Sequence, residues 1–302
     1  MKNMKKTRGE VTTQQIVLLT ILLVSFIVIL FLLFRLDIGK QSESEICHNS
    51  VVTRGSSVVP ADAVPLKCSR TYVCITQDGS CESMTKPDIV KADTKEEVYN
   101  ALAEEMADCW WMFGEGKVDY VGKDMSKNLY CSICSQIVLD NSLEDIEGFD
   151  GEIDQRDFYS SLEKMQMTDK GINYLEYLTS YSTFASFENY INTGEITFGT
   201  FQFDKPYFVM MGINSVVGVW KWVGVGAAGL GLIAAPFTGG LSLGISALII
   251  GGGSVAGGVG GYFVGTAVKG DGIENEFLKP VIIEADSNSL GKFDCKDILT
   301  ST

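Results

Sequence analysis

Histidine is nearly missing from this 302-residue chain: His48 stands alone. A single imidazole excludes any site that needs two, including the HExxH zinc proteases, and every Ser-His-Asp or Cys-His arrangement would have to run through it. His48 lies beside Cys47, where an exposed position is the simpler expectation. There is no GxxxxGK[ST] phosphate loop, and the glycines of residues 251 to 261 sit in an apolar run without the strand and helix that dinucleotide binding requires. Basic residues are scarce where acidic ones abound. Residues 40 to 205 hold 14 Lys and Arg against 29 Asp and Glu. Such a surface repels nucleic-acid phosphates and favours a cation or a basic protein partner. No catalytic constellation and no cofactor are implied.

Charge is also absent from two long runs. Residues 16 to 34 contain none over 19 positions, with Lys2, Lys5, Lys6 and Arg8 before them and Arg35, Asp37 and Lys40 after. A span of that length matches a bilayer core of about 30 Å, and the basic flank predicts a cytoplasmic N-terminus. An uncleaved anchor is expected, because the apolar run exceeds that of a secretory signal and no small-residue cleavage site follows. Arg8-Gly9-Glu10-Val11 resembles the leader motif of archaeal type IV pilin-like precursors. That resemblance implies a cut after Gly9 that leaves the apolar helix on the chain. Thr12, Thr13, Gln14 and Gln15 depart from the pattern by separating the implied cut from the apolar run.

The second run, residues 241 to 268, is uncharged over 28 positions. Half of the 32 glycines fall between Gly218 and Gly265. Gly253, Gly257, Gly261 and Gly265 recur every fourth residue, so on a helix they form a smooth stripe for close backbone packing; chance spacing in a Gly-rich segment is the alternative. Trp220, Lys221 and Trp222 fit an interface anchor. Residues 213 to 268 therefore read as a helical hairpin, either fully crossing or re-entrant, turning at Pro236.

All eight cysteines lie outside these runs: Cys47, Cys68, Cys74, Cys81, Cys109, Cys131, Cys134 and Cys295. An even number beyond an anchor predicts disulfides, whose connectivity spacing alone does not choose. Cys131-Ser-Ile-Cys134 would also suit half of a zinc clamp, but no second close pair completes it. A thiol-redox reading lacks its strand-turn-helix context.

In the polar part, Thr94-Lys95-Glu96-Glu97 has capping-box form, and Val98, Leu102, Met106, Cys109 and Phe113 follow at helical spacing. The stripe predicts a core-facing helix, with Cys109 bonded toward Cys131 or Cys134; a partner-binding face is the alternative. Residues 172 to 191 predict a second helix, and residues 56 to 65 a linker-like loop. Residues 195 to 203, 207 to 211 and 281 to 283 predict strands, with a bulge at Gly199-Thr200. Asp150, Glu152 and Asp154 alternate like the first ligands of a calcium loop, but Gln155 replaces its glycine and Ser161 its closing glutamate, so a solvated acidic loop competes with a weak calcium site.

The expected class is α+β: a membrane-anchored, disulfide-stabilised ectodomain with an N-terminal transmembrane helix and a Gly-rich apolar helical hairpin inserted between β-strands. Its parts are a cytoplasmic segment (1–15), an anchor (16–36), an acidic Cys-rich ectodomain (37–212), the hairpin (213–268) and a returning C-terminal segment (269–302). The expected function is non-enzymatic: assembly or interaction at the cell envelope, with the lipid bilayer, a second copy or another membrane protein as partner. A fusion-type membrane-perturbing protein and an extracytoplasmic enzyme are the alternatives.

Overall fold

The computed structural model describes residues 13–35, 42–56, 63–121, 129–193, 198–214, 245–246, 267–269, 276–291, 293 and 295–300. It divides into two units, Met1–Glu43 and Ser44–Thr302. The first contains α1 (Thr13–Arg35).

The second unit is a mixed α/β fold. After α2 (Ser42–Gly55), the strands β1 (Thr71–Thr76) and β2 (Asp88–Lys91) lead into α3 (Lys95–Met112) and then β3 (Leu129–Leu139). There follow β4 (Glu152–Asp154), α4 (Gln155–Leu162), the short pair β5 (Gln166–Met167) and β6 (Ile172–Asn173), α5 (Tyr174–Thr179), α6 (Phe184–Thr193) and β7 (Thr200–Gln202). The chain closes with β8 (Pro206–Asn214), β9 (Ile245–Ser246), β10 (Ala267–Lys269), β11 (Glu276–Glu284), α7 (Ser287–Gly291) and β12 (Asp297–Ile298). The main sheet runs β2-β1-β3-β8-β11-β10-β9, with β12 added on β3. β1 is parallel to β2 and to β3, whereas β3, β8, β11, β10 and β9 pair antiparallel in turn.

The capping box forms as the sequence dictates: the Glu97 amide donates to Thr94 Oγ1 at 3.2 Å, and Glu97 Oε2 accepts from the Thr94 amide at 3.2 Å. Val98, Leu102, Met106, Cys109 and Phe113 are all buried, and α3 lies against β8 and β11. Two bulges decide which strand residues meet it. In β3 the register shifts between Ile133 and Ser135, so Tyr130 before the shift, Cys134 within it and Ile137 after it all lie on the helix side. In β11 the shift between Leu278 and Val281 likewise puts Phe277 and Ile282 on the helix side, although one is odd-numbered and the other even. The opposite face gathers Leu129, Cys131, Ile133, Met210, Leu278, Val281, Ile283 and Phe293 into a second, smaller cluster.

The membrane architecture expected from the sequence is corrected here. Among the described residues, no helix is long and apolar enough to cross a membrane. Nor is the described part of residues 213–268 a helical hairpin. Ile213 and Asn214 end β8, β9 lies within the segment, and Ala267 and Val268 belong to β10. The reason is the open side of β11: β10 pairs on it and β9 pairs on β10, extending the sheet. The fold is thus a mixed α/β sheet with several helices and disulfides. Gly253, Gly257, Gly261, Gly265, Trp220, Lys221 and Trp222 lie outside the described residues, as do Arg8 to Val11 and Pro236.

The single helix expected over residues 172–191 is two. Asn173 Oδ1 accepts from the Glu176 amide at 2.7 Å and starts α5, while Ser180, at φ 68°, ends it in the left-handed region. Thr183 then leads into α6, its Oγ1 accepting from the Ser186 amide at 3.4 Å.

Candidate functional site

All eight cysteines are bonded: Cys47 to Cys68, Cys74 to Cys81, Cys109 to Cys134 and Cys131 to Cys295. The pairings converge on β3. Cys134, at its bulge, holds α3 against the sheet, and Cys131 on the opposite face holds the segment that carries β12. Both bonds act beside β8, the strand that β3 pairs from Leu129↔Asn214 to Val138↔Pro206.

β8 and β11 then define the site. They pair antiparallel from Tyr207↔Glu284 back to Asn214↔Glu276, so Asn214 and Glu276, which bound a segment that includes β9 and β10 of the same sheet, lie on adjacent strands about 5 Å apart. The start of β11 is braced by a polar network. Phe277 meets Trp110 edge-on at 6.1 Å. Two residues on, the Lys279 ammonium lies in the bulge, 6 % exposed, 5.5 Å from the Trp110 ring, and donates from Nζ to the Tyr177 carbonyl at 2.6 Å. Burial pulls the Lys279 amine down to about 7, although the Glu176 and Glu115 carboxylates partly oppose it.

Glu115 is the other half of the brace. It sits at φ 55° between Gly114 at φ 79° and Gly116 at φ 75°, three consecutive residues in the left-handed region. Its carboxylate accepts from Tyr177 Oη at 2.7 Å, from Lys117 Nζ at 2.9 Å and from Lys170 Nζ. Burial pushes this carboxyl up, but the bonds from Lys170, Tyr177 and Lys117 outweigh it and hold it at about 2. Tyr177 therefore links both halves, with its hydroxyl on Glu115 and its carbonyl on Lys279. The Lys279 amine is already engaged and enclosed, so the network's chemistry is positional: it fixes β11 against α3 and α5.

A second perturbed group lies on α3. Burial raises the Glu105 carboxyl to about 7; the Ser135 hydroxyl opposes this, and the charges of Asp108, Asp88 and Glu104 add to it.

The residues singled out from sequence fall elsewhere. His48 stacks on Trp111 at 4.2 Å, with Nδ1 2.8 Å from the Trp111 carbonyl oxygen. Glu152 and Asp154 flank buried Ile153 on β4, and Asp154 Oδ1 caps α4 by accepting from the Arg156 amide at 2.7 Å. Among the described residues, the oxygens of Asp150, Glu152 and Asp154 do not come within 4.8 Å of one another; the group that does offer ligand atoms so close is Cys74, Cys81 and Asp140. The brace itself was not anticipated, although Lys279-Pro280 inside an apolar strand is the composition of a bulge. Compared with family models, with curated proteins and with solved structures, the chain matches none.

Proposed function

We propose that the chain is a non-enzymatic interaction protein of an oxidising, extracytoplasmic compartment, whose disulfide-bonded domain associates with a second copy through the apolar residues 247–266. The observation that carries this reading is the pairing of Ser246 with Ala267 on β9 and β10, at the edge of the sheet that β8 and β11 build, which sets both ends of that apolar segment on the domain. Four disulfides among eight cysteines are what an oxidising compartment permits. The charge pattern supplies the rest. Residues 40 to 205, with 29 acidic and 14 basic side chains, repel the same surface of another copy, whereas an uncharged run of 28 residues gains by burying itself against an apolar partner.

The test compares the mass distribution of the full chain in mild detergent with that of a variant in which residues 247–266 are replaced by an Asn-Gly turn joining the β9 and β10 ends, leaving the sheet intact. Intact disulfides, checked by mass spectrometry, confirm that the shortened domain folds. The full chain is expected to oligomerise more strongly as salt screens the acidic surfaces, and the shortened variant to be monomeric. A monomeric full chain, or equal association by both proteins, would overturn the reading.

A further inference from the structure

Cys74, Cys81 and Asp140 place two sulfurs and a carboxylate oxygen within 4.8 Å of one another. Two of these ligands come from rigid neighbours. Cys74 is on β1, fully buried, and Asp140 follows directly on β3, where Ile75 pairs with Leu139 and the Asp140 amide donates to the Ile75 carbonyl at 2.9 Å. Asp140 is itself buried, and its Oδ1 accepts from the Ser142 amide at 2.9 Å, which fixes the carboxylate. The third ligand, half-buried Cys81, is held by the loop between β1 and β2. Asp78 pins that loop independently of the disulfide. Its Oδ1 accepts from Thr76 Oγ1 at 3.1 Å and from the Ser80 amide at 2.7 Å, and its carbonyl accepts from Lys91 Nζ at 3.3 Å.

We propose that Cys74, Cys81 and Asp140 form a redox-gated site for a zinc-class divalent cation, closed while the Cys74–Cys81 bond is intact and opened by its reduction. A disulfide sulfur is a poor ligand, and a thiolate is a strong one. A dithiol reductant supplies two electrons: its two thiols become its own disulfide, their protons pass to Cys74 and Cys81, and the S–S bond between these breaks. The cation then displaces both thiol protons and binds two thiolates and the Asp140 carboxylate. Two thiolates and a buried carboxylate crowd three negative charges into one place, and a cation compensates them. Thiolates select zinc over calcium or magnesium, and with three protein ligands a fourth position stays open to water.

Of the four bonds this is the one suited to opening. Its sequence separation is 7, and Cys81 is half-buried, whereas Cys47, Cys68, Cys109 and Cys134 are all buried and Cys131–Cys295 spans a separation of 164.

The experiment treats the full chain with a limiting amount of a phosphine reductant, which offers no thiol to the metal, and then titrates cobalt(II) as the probe. Differential alkylation identifies the bond that has opened. The reduced chain is expected to bind one equivalent of cobalt(II) with thiolate-to-metal absorption, and the oxidised chain none. The double variant Cys74→Ser, Cys81→Ser should lose the absorption. Asp140→Asn keeps an oxygen acceptor for the Ser142 amide and both cysteines, and should weaken cobalt binding roughly tenfold or more. Uptake that persists in the double variant, affinity unchanged in Asp140→Asn, or no uptake after this bond has opened would each overturn the proposal.

Discussion

Lys279 donates from Nζ to the main-chain carbonyl of Tyr177 at 2.6 Å, joining the bulge of β11 to the last turn of α5. Carbonyls in that turn lack helical partners, and a cation is the favoured group there. The Tyr177 hydroxyl in turn donates to Glu115 at 2.7 Å. One tyrosine therefore ties the bulge of β11 to the turn of positive φ after α3.

The Lys279 brace carries a pH dependence of defined sign. Its amine titrates near 7 in the fold against 10.5 in the unfolded chain. The unfolded chain therefore binds the extra proton between these values, and stability rises as pH climbs from 7 to 10.5. The shift corresponds to something on the order of 3–5 kcal/mol across that window. Lys279→Met keeps the buried stem without the charge, and its stability should lose this alkaline rise. Urea unfolding at pH 6.5 and 9.5 checks it; a slope retained in the variant would remove Lys279 as the cause.

Glu105 acts with the opposite sign on the acid side. Its folded value of about 7 exceeds the unfolded 4.5, so its contribution is present below 4.5 and lost as pH rises through 7. Asp108, raised by burial and by Glu104, adds in the same direction. With Lys279, this predicts a stability minimum near pH 7 in the oxidised chain. Glu105→Gln should flatten the acid limb by on the order of 3 kcal/mol and leave the alkaline limb in place. A profile that peaks near neutrality would refute the pairing of these two groups.

Gly116 and Gly171 both have positive φ, 75° and 67°, yet a methyl group meets different surroundings at each. At Gly116 it would lie 3.1 Å and 3.2 Å from the Trp110 ring, which Phe277 and Lys279 already hold; at Gly171 nothing lies within 4 Å. Gly171→Ala should destabilise by roughly 1–2 kcal/mol from backbone strain alone. Gly116→Ala adds overpacking and should reach roughly 2–4 kcal/mol. Equal denaturation midpoints for the two variants would mean that the turn relaxes away from Trp110.

Much of the helix and strand pattern was legible because it rests on local periodicity and caps. Thr94 to Phe113 declared both the start of α3 and its buried stripe, and the strands over residues 207–211 and 281–283 were visible as apolar runs, here paired through Val209↔Ile282 and Phe208↔Ile283. The break at Ser180 was less so, since the aromatic run on either side keeps helical spacing while the caps at Asn173 and Thr183 divide it. Length and hydropathy misled at the described ends and middle of residues 213–268, because they measure what a segment would bury and not where its amides find partners; β10 finds its partners on β11, and β9 finds its partners on β10. The brace was hidden for a different reason. Glu115, the Lys170–Tyr177 stretch and Lys279 are far apart in sequence, and Glu105 carries no motif to mark its environment.

The disulfides should differ sharply in what they contribute. Cross-linking removes loop entropy from the unfolded chain as the logarithm of the closed length, giving about 2 kcal/mol for a separation of 7 and about 5 kcal/mol for one of 164. The long bond also holds a contact that local structure does not supply. Cys131 lies in the smaller cluster with Phe293, and β12 reaches β3 through only two register pairs, Asp297↔Tyr130 and Ile298↔Cys131. Losing Cys131–Cys295 therefore frees β12 and uncovers Phe293, whereas losing Cys74–Cys81 leaves β1 paired on both sides. Paired Cys→Ala variants should show the contrast in urea. The Cys131/Cys295 variant should lose roughly 3 kcal/mol more than the Cys74/Cys81 variant and should exchange amide hydrogens of residues 295–300 rapidly. Comparable losses, with residues 295–300 still protected, would show that packing around Phe293, and not the bond, holds this segment to the sheet.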